Sequence, residues 1–506
     1  VAAGITLTRV LGYVRERVFA HYLGNGAVAD ACRAALRIPN VVRNLLGEGT
    51  LSASFIPVYA AMAERDKAGA RALANAVLGL LVFAAAAMAL LGVAFAPALT
   101  AVVAPGFAGD TRALTVILVR LLFPMTGLMV LSAWCLGVLN THRKFFLPYA
   151  APALWNIAGI AALVAMGAWL TGRGFPQEIE LRRLALALAW GTVAGALLQL
   201  LVQLPTCWRL VSGLAPRPSL GVAGVRDVLT AWMPLVVGAG VAQLSSLVDT
   251  LLGSLAGTGG VASLTYAQLV QQLPVGIFGV SIAAVALPDM SRDAADLGAQ
   301  DVLRARLATG FRRIAFFVAP SAFAFATLGD VIVGALFQTG RFHSGDTSVV
   351  GGVLASYSIG LLGAASAKLF ASGFFALRDT RTPVRISIVT LALSSGLAAL
   401  LIRPLGVAGI ALGSSIGAIV TLVTQLRLLE RRLGRVLDRP AWRHLAMVVA
   451  ASVVAAGAGF AAAFATRGFS PIPHAAVALG AFGVVYLVLA ISFRHPDALR
   501  LWSLLR

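Results

Sequence analysis

Apolar residues run through this chain in long blocks. NAVLGLLVFAAAAMALLGVAFAPAL (75–99) and LAMVVAASVVAAGAGFAAAFAT (445–466) are two of them, and short charged stretches such as ERDKAGAR (64–71) lie between such blocks. Crossing the hydrocarbon of a bilayer takes roughly 20 apolar residues in a helix. In lipid every backbone amide must be bonded within the segment, so a helix is the form these blocks should take. The pattern predicts an all-α polytopic membrane protein with about 14 transmembrane helices. They fall near 1–23, 28–60, 73–97, 111–139, 148–169, 183–207, 228–256, 261–289, 308–328, 348–376, 384–402, 406–427, 445–466 and 476–493.

Composition agrees with the pattern. Only 12% of residues are charged and mean hydropathy is +0.89, against about 25% charged in an ordinary soluble protein. The net charge of +20 would suit nucleic acid on a soluble domain, but no such domain is left once the spans are drawn. The charge instead gathers in alternate loops. The loops after spans 2, 4, 6, 8, 10 and 12, with the tail from Arg494, hold 25 Lys and Arg, and the opposite loops hold seven. Basic loops stay in the cytoplasm, which predicts both termini there. The chain opens at VAAGITLTR without Met or a charged leader; no signal peptide is read, and the native start is expected upstream.

Two halves can be overlaid. GNGAVADACRAALRIPN (24–40) matches GTGGVASLTYAQLVQQLP (257–274), Pro57 pairs with Pro288, and LNTHRKFFLP (139–148) matches FFALRDTRTP (374–383), at offsets of about 231 to 235. Two six-helix lobes forming a central cavity follow, at 1–208 and 209–430, with a C-terminal pair and tail at 431–506. Duplicated bundles of this kind are a transporter plan, with the substrate held near mid-membrane.

The charges left inside spans carry the functional signal. With loops and tail removed, the basic residues are Arg9, Arg15, Arg17, Arg33, Arg37, Arg43, Arg120 and Lys368, six of them in the first 43 residues. At a helix centre each costs roughly 2.5 to 3.5 kcal/mol unless it faces water or a partner. Arg33 and Arg37 are four residues apart and share a helix face. Glu16, Asp30 and Glu48 can balance at most three of the arginines. The first bundle therefore keeps a positive excess, which is wasteful unless an anion visits. Arginine suits that role, since its guanidinium is a fixed fork of donors that stays protonated. Pro39 is expected to break the second helix, beside Gly47 and Gly49.

Other chemistry is absent from the pattern. There is no phosphate-binding GxxxxGK[ST] and no HExxH. The histidines, His21, His142, His343, His444, His474 and His495, are scattered, and Cys32, Cys135 and Cys207 lack ligand spacing and read as small apolar fillers. No metal and no cofactor are predicted. DMSRDAAD (289–296) reads as a solvated loop, which argues against a membrane-embedded polyprenyl-phosphate transferase with a divalent ion.

TLTRVLGYVRERVFAHYLGNGAVADACRAALRIPNVVRNLLGEGTLSASFIPVYA (6–60) closely resembles the opening of the MurJ, or MviN, family of lipid II flippases, in the multidrug/oligosaccharidyl-lipid/polysaccharide exporter superfamily. APGFAGD (104–110), LNTHRKFFLPYAAPALWNI (139–157), GALFQTGRF (334–342) and FFALRDTRTPV (374–384) are similar as well. The resemblance implies fourteen spans in two lobes plus a C-terminal pair. It implies pyrophosphate-binding arginines at Arg9 in TRVLG, Arg15 in YVRER and Arg43 in IPNVVRN. Asp30 and Glu48 of the EG motif are implied in support or gating, and Arg33, Arg37 and Lys368 are assigned supporting roles. Asp249, an isolated acid in SSLVDTLLG, is a candidate for ion coupling, a salt bridge or a water-facing gate. In one place the chain departs from the family. TYAQLVQQLPVGIFG (265–279) has Leu269 where the family usually has arginine, leaving Gln268, Gln271 and Gln272 as neutral donors nearby.

The implied activity is flipping of lipid II, a disaccharide-pentapeptide on undecaprenyl pyrophosphate, across the bacterial inner membrane by alternating access through a cationic cavity. No bond changes, so no enzyme is expected. Ion coupling or membrane potential would drive it, at about 2.3 kcal/mol per charge per 100 mV. The expected partners are lipid II, membrane lipids and other peptidoglycan-synthesis proteins, with no nucleic acid, and the chain is expected to be a monomer. The alternative cargo is another polyprenyl-pyrophosphate-linked oligosaccharide.

Overall fold

The structure, a computed structural model, describes residues 2–46, 48–171, 178–293 and 300–504. Helix is the regular secondary structure of the described residues. In order the helices are α1 (Ala2–Leu23), α2 (Ala27–Leu46), α3 (Glu48–Arg65), α4 (Lys67–Ala94), α5 (Ala96–Val103), α6 (Gly109–Thr141), α7 (Phe146–Ala150), α8 (Pro152–Thr171), α9 (Glu178–Val211) and α10 (Val225–Leu255). Then come α11 (Gly260–Pro274), a π-helical turn (Val275–Val280), α12 (Ser281–Asp293), α13 (Gln300–Phe337), α14 (Ser344–Ser358) and α15 (Leu361–Ala376). The last five are α16 (Arg381–Leu405), α17 (Val407–Leu433), α18 (Arg439–Ala465), α19 (Pro471–Ser492) and α20 (Pro496–Leu504). The chain divides into two compact units. Unit 1 is Val1–Ala262 with Thr339–Phe342, and unit 2 is Ser263–Gln338 with His343–Arg506.

The described helices overlap the predicted spans, with 28–60 divided between α2 and α3 and 348–376 between α14 and α15. By length and composition, 10 helices among the described residues could cross a membrane, or 11 if α14 and α15, bent by 44°, form one broken span. The chain is a multi-pass helical membrane protein. α1 and α2 are not among the ten, for a plain reason: α1 carries Arg9, Arg15, Glu16 and Arg17, and α2 carries Asp30, Arg33, Arg37 and Arg43.

One expectation fails. α2 continues through Pro39 to Leu46, so the proline does not break it. Proline removes one amide and leaves a carbonyl one turn back without its donor, but in a membrane helix neighbouring side chains and local adjustment meet the deficit. Here Pro39 is buried against α6, whose Thr126 hydroxyl donates to the Pro39 carbonyl at 3.5 Å. α2 is described to Leu46 and α3 from Glu48, and residue 47 lies outside the described residues.

The core of unit 1 packs α3, α4, α6 and α9 around Phe55, Leu73, Trp134, Leu139 and Cys207. Cys32, Cys135 and Cys207 are free and buried, as small fillers would be. With little hydrophobic force between helices in lipid, packing and interhelical hydrogen bonds hold them. Ser132 of α6 accepts from Gln199 (3.0 Å) and Gln203 (2.7 Å) of α9. Gly167 of α8 lies so close to the Tyr22 ring of α1 that any Cβ would collide with it.

Two of the helix stops share one backbone geometry. α6 ends at Arg143 (φ 58°), with Arg143 N–H bonded to Asn140 O (3.0 Å) and Lys144 N–H to Leu139 O (2.9 Å). α15 ends at Arg378 (φ 58°), with Arg378 N–H bonded to Phe375 O (2.9 Å) and Asp379 N–H to Phe374 O (2.9 Å). Both are Schellman stops with a left-handed residue that would ordinarily be glycine.

Asp379 then starts the next helix. Its carboxylate accepts from the N–H groups of Arg381 (3.1 Å) and Thr382 (2.9 Å) and from the Thr382 hydroxyl (2.6 Å), and pairs with Arg432 of α17 (2.8 Å). The Thr382 hydrogen bonds, followed by the Arg432 charge, pull its carboxyl down to about 2 from an ordinary 3.8. A depressed carboxyl adds stability that is complete above the ordinary value and is lost as pH falls through the folded one. Asp379→Ala should therefore lower the unfolding midpoint at neutral pH, with the gap from wild type closing as pH falls toward about 2. Thermal melts across that range check it, and a gap that stays constant with pH would place the effect elsewhere.

Candidate functional site

The charged residues of α1 and α2 sort into buried and accessible groups. Glu16 is 5% exposed and Arg33 8%. Glu16 Oε1 accepts from Arg15 Nη2 at 2.7 Å, and Glu16 Oε2 faces Arg33 Nη2 at 2.5 Å. One carboxylate thus joins two arginines from different helices, one on each oxygen. Arg33 lies over the Phe19 ring at 3.9 Å, and Arg15 lies over the Trp155 indole of α8 at 4.3 Å. An arginine face stacked on an aromatic ring gains cation–π attraction and is fixed in orientation. The Arg15 side chain stays 21% exposed. Of its five N–H donors, one goes to Glu16, so the guanidinium can take an anion without leaving its place.

α1 is held along α7 and α8 by side-chain-to-backbone bonds. Thr8 Oγ1 donates to Tyr149 O (3.1 Å), and Asn156 Nδ2 donates to Thr8 O (3.4 Å). Arg9, one residue further along, is exposed. On α2, Arg37 Nε donates to the Thr250 hydroxyl of α10 (3.2 Å). Arg43 is half-buried; its Nη2 lies 3.4 Å from Asn44 Oδ1, and Asn44 Nδ2 donates to Gln243 Oε1 of α10 (3.2 Å). The side chain of Glu48 lies outside the described residues.

Asp30 is 1% exposed and does not meet an arginine in any described ion pair. Its carboxylate accepts from Gly259 N–H (2.6 Å) and Ala262 N–H (2.8 Å), at the start of α11. The first amides of a helix have no partner within it, and a carboxylate there meets both their hydrogen-bonding need and the positive end of the helix dipole. Asp30 is a cap supplied from another helix.

The remaining candidates are dispersed. Asp249 is half-buried on α10, and Lys368 is exposed on α15 in unit 2. Leu269 is half-buried on α11, where its neighbour Gln268 donates to the Tyr357 hydroxyl (3.0 Å). Gln271 is half-buried and Gln272 exposed. Among the described residues no group of three or more His, Cys, Asp and Glu is placed to hold a metal ion. The arrangement suits binding of a polyanion by fixed cations.

Comparison with known proteins decides the family. The family model described as Lipid II flippase MurJ matches residues 19–479. The chain belongs to the MurJ family. A lipid II flippase MurJ of Burkholderia cenocepacia is 33% identical over 464 residues, covering 90% of this chain and 87% of the relative. A probable lipid II flippase MurJ of Rhizobium meliloti is 32% identical, covering 97% and 91%. The fold matches a solved lipid II flippase MurJ in an inward closed conformation, with a TM-score of 0.80 at 21% identity over 97% of this chain and 98% of that one. An inward-facing multidrug resistance MATE family transporter of the MOP superfamily matches at 0.64, with 18% identity over 85% and 94%. The family resemblance read from residues 6–60 therefore stands.

Within this MurJ-family chain, sequence reasoning missed Trp155, Thr250 and Asn44 and treated Glu16 only as a countercharge. Trp155 had a usable signal. It is an aromatic in LNTHRKFFLPYAAPALWNI, a stretch already singled out, in a protein whose first helix needs partners for cations. Thr250 and Asn44 had none, since their roles depend on how α2 turns toward α10.

Proposed function

We propose that this chain is a transporter, not an enzyme, that flips lipid II from the cytoplasmic to the periplasmic leaflet of a bacterial inner membrane by alternating access. The observation that supports it most is the family match over residues 19–479, beside which stands the Arg15–Glu16–Arg33 cluster of α1 and α2. In this reading Arg9, Arg15 and Arg43 take the pyrophosphate, with Arg37 in support. Asp30 gates the start of α11, and Glu48 assists it. Lys368 adds positive potential, and Asp249 is the ion-coupling candidate, with ion exchange or membrane potential as the driving force. Both termini are cytoplasmic, the fourteen helices divide into lobes at 1–208 and 209–430 with the pair at 431–506, and the protein works as a monomer alongside other peptidoglycan-synthesis proteins.

Translocation of lipid II in proteoliposomes tests this reading. Wild type should transport, and Arg43→Ala should transport about tenfold more slowly, the effect expected for losing one charge-assisted contact. Leu269→Arg should raise the rate if a second-lobe cation is what this branch lacks. No transport by folded wild type, beside an active MurJ-family control, would redirect the proposal to another polyprenyl-pyrophosphate-linked oligosaccharide.

A further inference from the structure

Arg33 is in the wrong place to bind cargo. It is as buried as Glu16, stacked on Phe19, and turned toward the carboxylate rather than outward. Yet a buried guanidinium is expensive to keep in a membrane helix. Its partner explains it. Glu16 touches Arg15, the accessible arginine, and a lone carboxylate at 2.7 Å would cancel most of the charge an anion is meant to feel. Arg33 occupies the carboxylate's other oxygen, so the three groups together keep one net positive charge, and the exposed edge of that triad belongs to Arg15.

We propose that Arg33 is a positioning residue for the anion site: it holds and balances Glu16, so that Glu16 and the Trp155 indole orient the Arg15 guanidinium without neutralising it. This rests on the reading of Arg15 as a pyrophosphate ligand, and it goes further by dividing the arginines into one that binds and one that tunes. It also explains why an acid is tolerated next to a binding arginine. Without Glu16 the Arg15 fork would have the indole face but no in-plane anchor; with Glu16 and no Arg33 it would have an anchor and no charge to offer.

The test separates charge from contact. Binding of inorganic pyrophosphate to the purified full chain is measured by calorimetry for wild type, Arg33→Met, and the double variant Glu16→Gln with Arg33→Met. Arg33→Met leaves a neutral Arg15–Glu16 pair, and affinity should fall roughly tenfold. In the double variant the introduced amide keeps an acceptor for Arg15 and the net charge returns to one, so affinity should recover to within about threefold of wild type. A merely structural arginine would not be rescued by removing a second charged group. Undiminished binding by folded Arg33→Met overturns the proposal, and so does a folded double variant no better than the single one. If Arg33→Met does not fold, the double variant, which buries no orphan charge, decides: affinity about tenfold below wild type overturns the proposal. Lipid II translocation is followed on the same samples. A wild type that moves no lipid II but keeps this order of pyrophosphate affinities loses the cargo reading and retains the positioning role. A wild type that binds no pyrophosphate loses both.

Discussion

Arg15→Ala should abolish rescue of cells depleted of their own lipid II flippase while leaving protein level and melting temperature near wild type. The two halves of that expectation have one structural cause. Arg15 spends one donor on Glu16 and one face on Trp155, and its outer edge is open. Losing a charge-assisted hydrogen bond to a phosphate removes about 1.5–3 kcal/mol, or roughly 10- to 100-fold in binding. The fold is spared because Glu16 still has Arg33, and the pair left behind is neutral. Arg15→Lys is the informative companion. Lysine keeps the charge but loses the planar fork and most of the stacking, so it should fall between alanine and wild type. Growth of depleted cells at matched immunoblot signal reads the result. Full rescue by Arg15→Ala would remove Arg15 from the site.

The comparison of Arg15 with Arg33 also marks where sequence reading stops. Helices, their approximate ends and the positive excess of the first 43 residues were legible, because span length and the scarcity of intramembrane charge are properties of the chain itself. The free, buried cysteines were legible for the same reason. Which arginine keeps an exposed edge and which is buried against a carboxylate was not. Both lie in helical stretches that carry several charges, and their difference comes from how α1 and α2 pack together, with Glu16 between them. Pro39 failed for a related reason. A local rule about an absent amide was outweighed by the packing of α2 on α6, against which Pro39 is buried. Asp30 had been grouped with the arginines as a countercharge. Its partners are backbone amides 229 and 232 residues away, and no side-chain pattern reports these.

Asp30 carries the largest stability effect expected of any single replacement. Its carboxylate is the acceptor for Gly259 N–H and Ala262 N–H in a place that water does not reach. Alanine would leave both amides without a partner, and each unmet buried donor costs about 1–3 kcal/mol. Some relaxation of the turn at Gly257 and Gly259, both at positive φ, will recover part of this, so a net loss of about 2–4 kcal/mol is expected. Asparagine keeps one acceptor oxygen but turns an NH2 group toward the second amide, and it surrenders the charge that the helix start favours. Asp30→Asn should therefore recover no more than about half of the loss. Melting of the purified variants in one detergent measures the order wild type, Asn, Ala. An alanine variant that melts with wild type would mean that α11 begins without help from α2. If the order holds and transport falls further than stability alone explains, the same two hydrogen bonds are being broken and remade in the working cycle, as a gate at the start of α11 requires.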